Sequence, residues 1–424
     1  MTLLIKNLRM VDAQCVHNPQ DYFFDGNYLF PLQQYPDSIP TDTPIYHAEG
    51  CLGSEAWTDL RALAGDPGLE QKDTLEDLLL QLAHSGFKQA VLLPNTKPVL
   101  QTKNDIAYVQ QKAALSPVTL HVMAAATKDC LGEDFTELHD LAAQGVRVFG
   151  DGTQTLHHPD RLLRILQYIT KFKGVCFDQS IDPLLALYGH MHEGFVSTQL
   201  GIKGIPALAE ELAVQRNIKL CGYAAGRLHF QTVSTAAAVQ HIRQAKAEGL
   251  NVTADCSIYQ LLFTDEDLRD FDSNYKVMPP FRAKADQEAL LEGLRDGTID
   301  ALVTNHSPHE ADAKVLEFDY AAFGMLGIQT FAPALTKLAD ELGWPLLIEK
   351  ITHGPAQVLG LEKSDPQKLD SLTIWDPEAT WTFDASTNLS KSKNSPYYGQ
   401  TLKGAVRLLL HKGTIVTPDA VSKK

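Results

Sequence analysis

No Cys-x-x-Cys pair occurs anywhere in the chain; its six cysteines, Cys15, Cys51, Cys130, Cys176, Cys221 and Cys256, are scattered. That spacing argues against a disulfide framework or a zinc knuckle and fits buried thiols in a reducing compartment. Also missing is an apolar run of about 18 residues, the least that spans a membrane. The opening stretch to Gln14 begins apolar but is broken by Lys6, Arg9 and Asp12, so it lacks the apolar centre of a secretion signal. Positive charge is scarce. Against 52 Asp and Glu stand 37 Lys and Arg, a net charge of -15, which makes nucleic acid and anionic membranes poor partners. No internal repeat or low-complexity tract stands out, and Lys423–Lys424 reads as a frayed end. With 44% hydrophobic and 21% charged residues over 424 positions, a soluble, cytoplasmic globular protein is expected.

What is present is an alternation. Short apolar runs of strand type occupy Ala56–Leu63, Lys88–Pro94, Thr119–Ala126, Val146–Gly150, Gly174–Gln179, Arg227–Ser234, Asn251–Ser257 and Asp300–Ser307. Between them lie segments with apolar positions three and four apart: Thr74–Ser85, Gly132–Ala143, Pro159–Lys171, Ala207–Tyr223, Ala236–Glu248 and Lys284–Arg295. Eight strands separated by helices predict an α/β protein built on a (β/α)8 barrel over residues 56–364, long enough for the roughly 250 residues such a barrel takes plus loops. Both ends differ, with strand-like Leu3–Leu8 and Pro44–His47 at one, and Ser371–Asp376, Thr380–Phe383, Gly404–Leu410 and Gly413–Val416 at the other. Neither end buries much alone, so residues 1–55 and 365–424 are expected to form one small composite β-sandwich domain.

Three segments are more particular: Leu92-Leu93-Pro94-Asn95-Thr96-Lys97-Pro98-Val99, Lys276-Val277-Met278-Pro279-Pro280-Phe281-Arg282, and Asp296-Gly297-Thr298-Ile299-Asp300 leading to Thr304-Asn305-His306-Ser307-Pro308-His309. Val233-Ser234-Thr235-Ala236, Met191-His192-Glu193-Gly194 and Ser392-Lys393-Asn394-Ser395-Pro396 add to them. In this order they resemble the dihydroorotases of the amidohydrolase superfamily, over nearly the whole chain. The resemblance implies the barrel with its two-ended β-domain, and a zinc centre at the C-terminal mouth of the barrel that opens a cyclic amide.

Position by position, the resemblance places unusual residues at that centre. The family's strand-one Asp-x-His-x-His-Leu-Arg-Glu-Pro-Gly reads here Asp59-Leu60-Arg61-Ala62-Leu63-Ala64-Gly65-Asp66-Pro67-Gly68, so Arg61 and Leu63 stand for two histidines and Gly65 for the substrate-gripping arginine. Asp151 keeps a carboxylate after strand four. Phe177 aligns with the strand-five histidine, Thr232 with the strand-six ligand and Asn305 with the catalytic aspartate. Of these six ligand positions only Asp151 is competent to hold zinc, so no metal and no catalytic residue is expected. Asn95 and His309 match substrate contacts, with hydrogen-bonding scaffold as the other reading, while Met278 replaces a substrate-binding asparagine.

Other histidines have plainer readings. His190-Met191-His192 matches the family's Met-x-Glu-Gly loop and is expected to face solvent. His157 and His158, before Pro159, are expected to point apart, and His229 to sit in the core or behind a ligand. Asp151 with Gly152 also reads as a turn. Three functions follow: a dihydroorotase-like protein of pyrimidine biosynthesis without its metal, serving as a non-catalytic structural or regulatory partner of aspartate carbamoyltransferase; an active cyclic amidohydrolase whose zinc is held by several of Asp151, Asp178, His229, His306 and His309; or a ligand-binding sensor without chemistry. The resemblance implies the first, since some dihydroorotases assemble with that carbamoyltransferase. A homo-oligomer stays open.

Overall fold

The computed structural model describes residues 2–35, 38–362, 365 and 368–418. The expected boundary at 364 and the end at Lys423–Lys424 lie outside them. In chain order the strands are β1 (Leu3–Met10), β2 (Gln20–Phe24), β3 (Leu29–Pro31), β4 (Ile45–His47), β5 (Leu52–Ser54), β6 (Trp57–Ala62), β7 (Phe87–Leu92), β8 (Thr119–Ala124), β9 (Val148–Phe149) and β10 (Val175–Asp178). There follow β11 (Met191–His192), β12 (Gly204–Ile205), β13 (Leu228–Phe230), β14 (Val252–Ser257), β15 (Ala301–Val303), β16 (Ser371–Thr382), β17 (Thr401–His411) and β18 (Thr414–Val416).

Strands β6, β7, β8, β9, β10, β13, β14 and β15 pair in that order, all parallel. A parallel bridge between Ala62 and His306, with Leu63 N–H donating to the His306 carbonyl at 3.0 Å, brings β15 back to β6. The result is a TIM-type barrel made from the eight expected runs. Its interior is packed by Leu60, Val91, Met123, Val175, Phe177 and Val303, as befits strands buried on both faces. Helix starts are set locally. Thr74 accepts from the Asp77 N–H while Asp77 accepts from the Thr74 N–H, a reciprocal cap for Leu75–His84, and Pro159 opens Pro159–Thr170 at a position that needs no N–H donor.

Strands from both ends of the chain make one sheet, in the order β18-β17-β16-β5-β1-β2-β3, with β4 added on β1. Leu3, Ile5, Leu8, Phe24, Leu372 and Leu410 fill its core. Trp57 of β6 meets Trp375 of β16 edge-on at 5.6 Å between ring centres, and Trp375 meets Trp344 at 5.3 Å, so aromatic packing joins this sheet to the barrel. Among the described residues no helix is long and apolar enough to cross a membrane.

Several expectations need correction. Ser371–Asp376 and Thr380–Phe383 are one strand, β16, with a register irregularity between Asp376 and Thr380. The helix expected over Gly132–Ala143 begins only at Leu138, because a Thr127–Phe135 bridge and the Thr136 hydroxyl on the Ala125 carbonyl hold the preceding segment as a loop. Five cysteines are buried, as anticipated, but Cys15 is exposed on the turn after β1.

Candidate active site at the barrel mouth

Parallel strands deliver their next residues to one end of the barrel, so the side chains just past each strand meet although they are far apart in sequence. Arg61 lies at the centre, 2% exposed. Its Nε donates to Asn305 Oδ1 at 2.8 Å and its Nη2 to Gln179 Oε1 at 2.8 Å, which ties the ends of β6, β10 and β15 together. Nη1 has no hydrogen-bond partner among the described residues. Burial pushes the guanidinium down to about 10, against the opposing pull of Asp255 and Asp59. Asn305 holds a left-handed backbone (φ 47°), a conformation Asn tolerates, and its amide donates to the Met278 carbonyl at 3.3 Å.

The other matched positions are committed elsewhere. Leu63 packs against the barrel interior, and Phe177 lies within it, its ring 4.3 Å from that of His229. Thr232 is held at φ 49° by its N–H on Asp255 Oδ1 at 2.6 Å, while its buried hydroxyl has no partner among the described residues. A β-branched residue there is a strained one. His229 is wholly buried, with Nε2 2.8 Å from Asp255 Oδ2 and Nδ1 2.9 Å from the Thr253 hydroxyl. Asp151 does open a turn, its carbonyl accepting from Gln154 N–H at 3.1 Å, but it is buried. Its Oδ1 accepts from the Ala126 and Thr127 N–H groups at 3.0 Å, and its Oδ2 accepts from the Thr127 hydroxyl. Burial nonetheless pushes its carboxyl up to about 6.

Asn95 braces the loop after β9. Its amide donates to the Asp151 carbonyl at 3.0 Å and its Oδ1 accepts from Thr153 N–H at 2.9 Å. A Cβ at Gly152 (φ 65°) would lie 1.9 Å from that Oδ1, so glycine is required there. His309 Nε2 is 2.9 Å from the Phe323 carbonyl and its backbone N–H donates to Asn394 Oδ1, with burial pushing the imidazole down to about 4. Both residues act as loop scaffold in this geometry. Gly65 sits in a turn so tight that a Cβ would lie 1.9 Å from the Leu69 carbonyl oxygen, leaving no room for the arginine of the motif.

Two histidine expectations change. His192 is buried, with Nδ1 3.3 Å from Arg282 Nη1, because β11 pairs with β12 and folds it inward. The rings of His157 and His158 lie 4.1 Å apart, near one another and not splayed. Asp178 accepts from Leu156 N–H, Ser180 Oγ and Asn217 Nδ2, and His306 Nε2 lies 3.6 Å from Asp73 Oδ2. No three of Asp151, Asp178, His229, His306 and His309 gather their donor atoms. Among the described residues the one His, Cys, Asp or Glu trio within 4.8 Å is Asp12, Cys15 and His17, outside the barrel.

Residues that the sequence did not single out complete the mouth: Asp59, Gln179, Gln231 and Asp255, all buried. Asp59 and Asp255 were visible as acidic residues inside apolar runs. A cleft of about 410 Å³ opens beside Gln179, lined also by Lys276, Met278 and Phe323. Asp59 accepts from Thr304 N–H at 3.0 Å and from the Thr304 hydroxyl at 2.6 Å, yet burial dominates and pushes its carboxyl up to about 7. Its folded pKa lies above the unfolded one, so its stabilising contribution is complete below about 4 and is lost as pH rises through about 7. Asp59→Asn, which mimics the protonated carboxyl, is expected to cancel that slope, up to about 1.4 kcal/mol per pH unit. Urea denaturation of both proteins at pH 5, 6 and 7 checks this; a wild-type minus variant difference that stays constant would mean Asp59 does not titrate there.

No protein-family model matches the chain. A dihydroorotase from Acetivibrio thermocellus is 36% identical over 426 residues, covering 99% of this chain and 100% of its own length. One from Syntrophus aciditrophicus is 33% identical over 422 residues, covering 98% and 99%. Among solved structures, the L-hydantoinase (dihydropyrimidinase) from Arthrobacter aurescens superposes with a TM-score of 0.84 at 22% identity, covering 98% of this chain and 96% of that one, and so supports the fold. With full-length matches above 30% identity, the chain belongs to the dihydroorotase family.

Proposed function

We propose that this chain is a dihydroorotase-like protein of pyrimidine biosynthesis that has given up the metal chemistry and serves as a structural or regulatory partner of aspartate carbamoyltransferase. The observation that carries the reading is Arg61, a buried cation bridging Asn305 and Gln179 at the ligand positions of the family motif. Tested as a zinc cradle, the donor set does not fit. Arg61 repels a cation, Leu63 and Phe177 carry no donor, Asn305 offers a neutral amide, and the Asp151 oxygens already accept three hydrogen bonds. No step of a reaction is therefore routed through a metal at this mouth.

Support for association comes from the loops around the cleft. Leu187 and Tyr188 on one side, and Asp319 and Ala321 on the other, line it. The same two loops expose Leu184 (79%), Tyr188 (71%), Val315 (80%) and Tyr320 (78%) to solvent. Large apolar side chains grouped on loops mark interaction surfaces. An interface of about 1,600 Å² in total is enough for a stable complex. Co-expression with aspartate carbamoyltransferase and size-exclusion chromatography is expected to give one co-eluting complex, which Tyr188→Asp with Tyr320→Asp disperses. Separate elution at micromolar concentration, with the carbamoyltransferase fully active and assembled alone, defeats the reading.

A sensor role has one observation in its favour. Buried Arg61 Nη1, Gln179 Nε2, the Gln231 amide and Thr232 Oγ1 all lack hydrogen-bond partners among the described residues and belong to the same mouth. Groups left so cost about 1–3 kcal/mol each; the space between Gln179, Gln231 and Thr232 is closed, so a small polar ligand would have to reach them through Gln179, which also lines the open cleft.

A further inference from the structure

The turn after β1 brings together three different metal donors. Val11 and Val16 form an antiparallel bridge, Asp12 N–H donates to the Cys15 carbonyl at 3.2 Å, and His17 N–H donates to the Met10 carbonyl at 2.8 Å. Asp12 Oδ1 is occupied by the Gln14 and Cys15 N–H groups, which fixes the carboxylate and turns Oδ2 to His17. His17 Nε2 lies 2.7 Å from Asp12 Oδ2 and 3.7 Å from Cys15 Sγ, and all three donor atoms fall within 4.8 Å of one another.

We infer that Asp12, Cys15 and His17 form a zinc-class metal site. Zinc bonds of about 2.3 Å to sulfur and about 2.0–2.1 Å to nitrogen and oxygen give tetrahedral edges of roughly 3.5 Å for S···N and about 3.3 Å for N···O. The observed 3.7 Å is that S···N edge within a rotamer adjustment, and the 2.7 Å His–Asp contact opens by about half an ångström when a cation replaces the shared proton. Cys15 Sγ lies 3.7 Å from Nε2 and 3.9 Å from Nδ1 of the His17 ring, a contact for which a plain Asp12–His17 ion pair does not account. Thiolate with imidazole and one carboxylate selects zinc or cobalt(II) over magnesium or calcium, which take oxygen alone.

Three protein ligands leave a fourth position, and a second feature shows room beside it. Asp12 and His17 line a cleft of about 390 Å³ whose walls include Tyr22, Leu29, Ile348 and His353. A site with an open position against an apolar cleft is one where a bound metal meets a small ligand. The site stands on β1 and its turn, away from Arg61, and neither inference depends on the other.

The test uses full-length protein with cobalt(II) and then zinc alone. One equivalent of cobalt is expected, with a thiolate-to-cobalt charge-transfer band in the near ultraviolet. Cys15→Ser removes that band and weakens zinc binding at least about tenfold, and His17→Ala does the same. Cys15 is exposed, so its serine variant folds. Asp151→Asn, at the barrel mouth, leaves the band intact. No saturable zinc binding by calorimetry, or a band that survives both Cys15→Ser and His17→Ala, overturns the inference. Metal lost on Asp151→Asn instead overturns the reading of the mouth and not this site alone.

Discussion

Incubated with carbamoyl aspartate or dihydroorotate, the purified protein is expected to give no interconversion, at least about 10⁴-fold below an active relative. Opening the ring requires an activated water and closing it expels one, both directions need a group that carries a proton, and a positioned acid–base alone supplies about 10²–10⁴-fold. At the mouth the motif's aspartate is Asn305, an amide that neither gains nor loses a proton near neutrality. Arg61, even pushed down to about 10, stays cationic at pH 7. Asp151 is spent on three donors of the β8 loop. Asn305→Asp is expected to leave activity at background. The new carboxylate would stand against Arg61 Nε, where the amide oxygen now lies at 2.8 Å, and an opposite charge so near holds it ionised as an ion pair, not free as a base. Restoring the motif's arginine at Gly65 is blocked by the Leu69 carbonyl. Chromatographic assay of protein made in a host lacking its own dihydroorotase decides the matter; saturable turnover abolished by a mouth substitution refutes it.

How far the sequence reached depended on the kind of signal. All eight barrel strands were legible because buried strands read as short, largely apolar runs, Ala301–Val303 wholly so and Trp57–Ala62 in spite of Thr58, Asp59 and Arg61. Strands β2, β3 and β5 were not, being three to five residues long with no alternation to read. Phe331–Leu342 and Trp344–Ile351 were missed as helices: Pro333 interrupts the first, and the second is apolar nearly all round. At the mouth the motif flanks located Arg61, Thr232 and Asn305, but not what they touch. Arg61 reaches Gln179 across 118 residues and Asn305 across 244, and no local pattern encodes such pairs. Asp12, Cys15 and His17 escaped because cysteine spacing is read in pairs, and here one cysteine shares its site with a histidine and a carboxylate.

Arg61→Ala is expected to cost about 2–5 kcal/mol of stability, the largest effect of any mouth substitution. Removing the guanidinium leaves Asn305 Oδ1 and Gln179 Oε1 without their donors, at about 1–3 kcal/mol each, and opens a void where three strand ends meet. Part of this is offset, because a buried cation carries a desolvation penalty, visible in a guanidinium held near 10. Arg61→Met separates the two terms. It fills the space and drops the charge while making no hydrogen bonds, so it is expected to fall between the wild type and Arg61→Ala. Arg61→Lys keeps the charge, but one ammonium cannot present the two fixed donors that reach both amides, so it recovers less than half of the loss. The order wild type, Met, Ala in urea midpoints at unchanged slope is the expected result. An alanine variant within about 0.5 kcal/mol of the wild type would show that Arg61 does not hold the mouth together, and the bridge would then no longer support the proposed non-catalytic role.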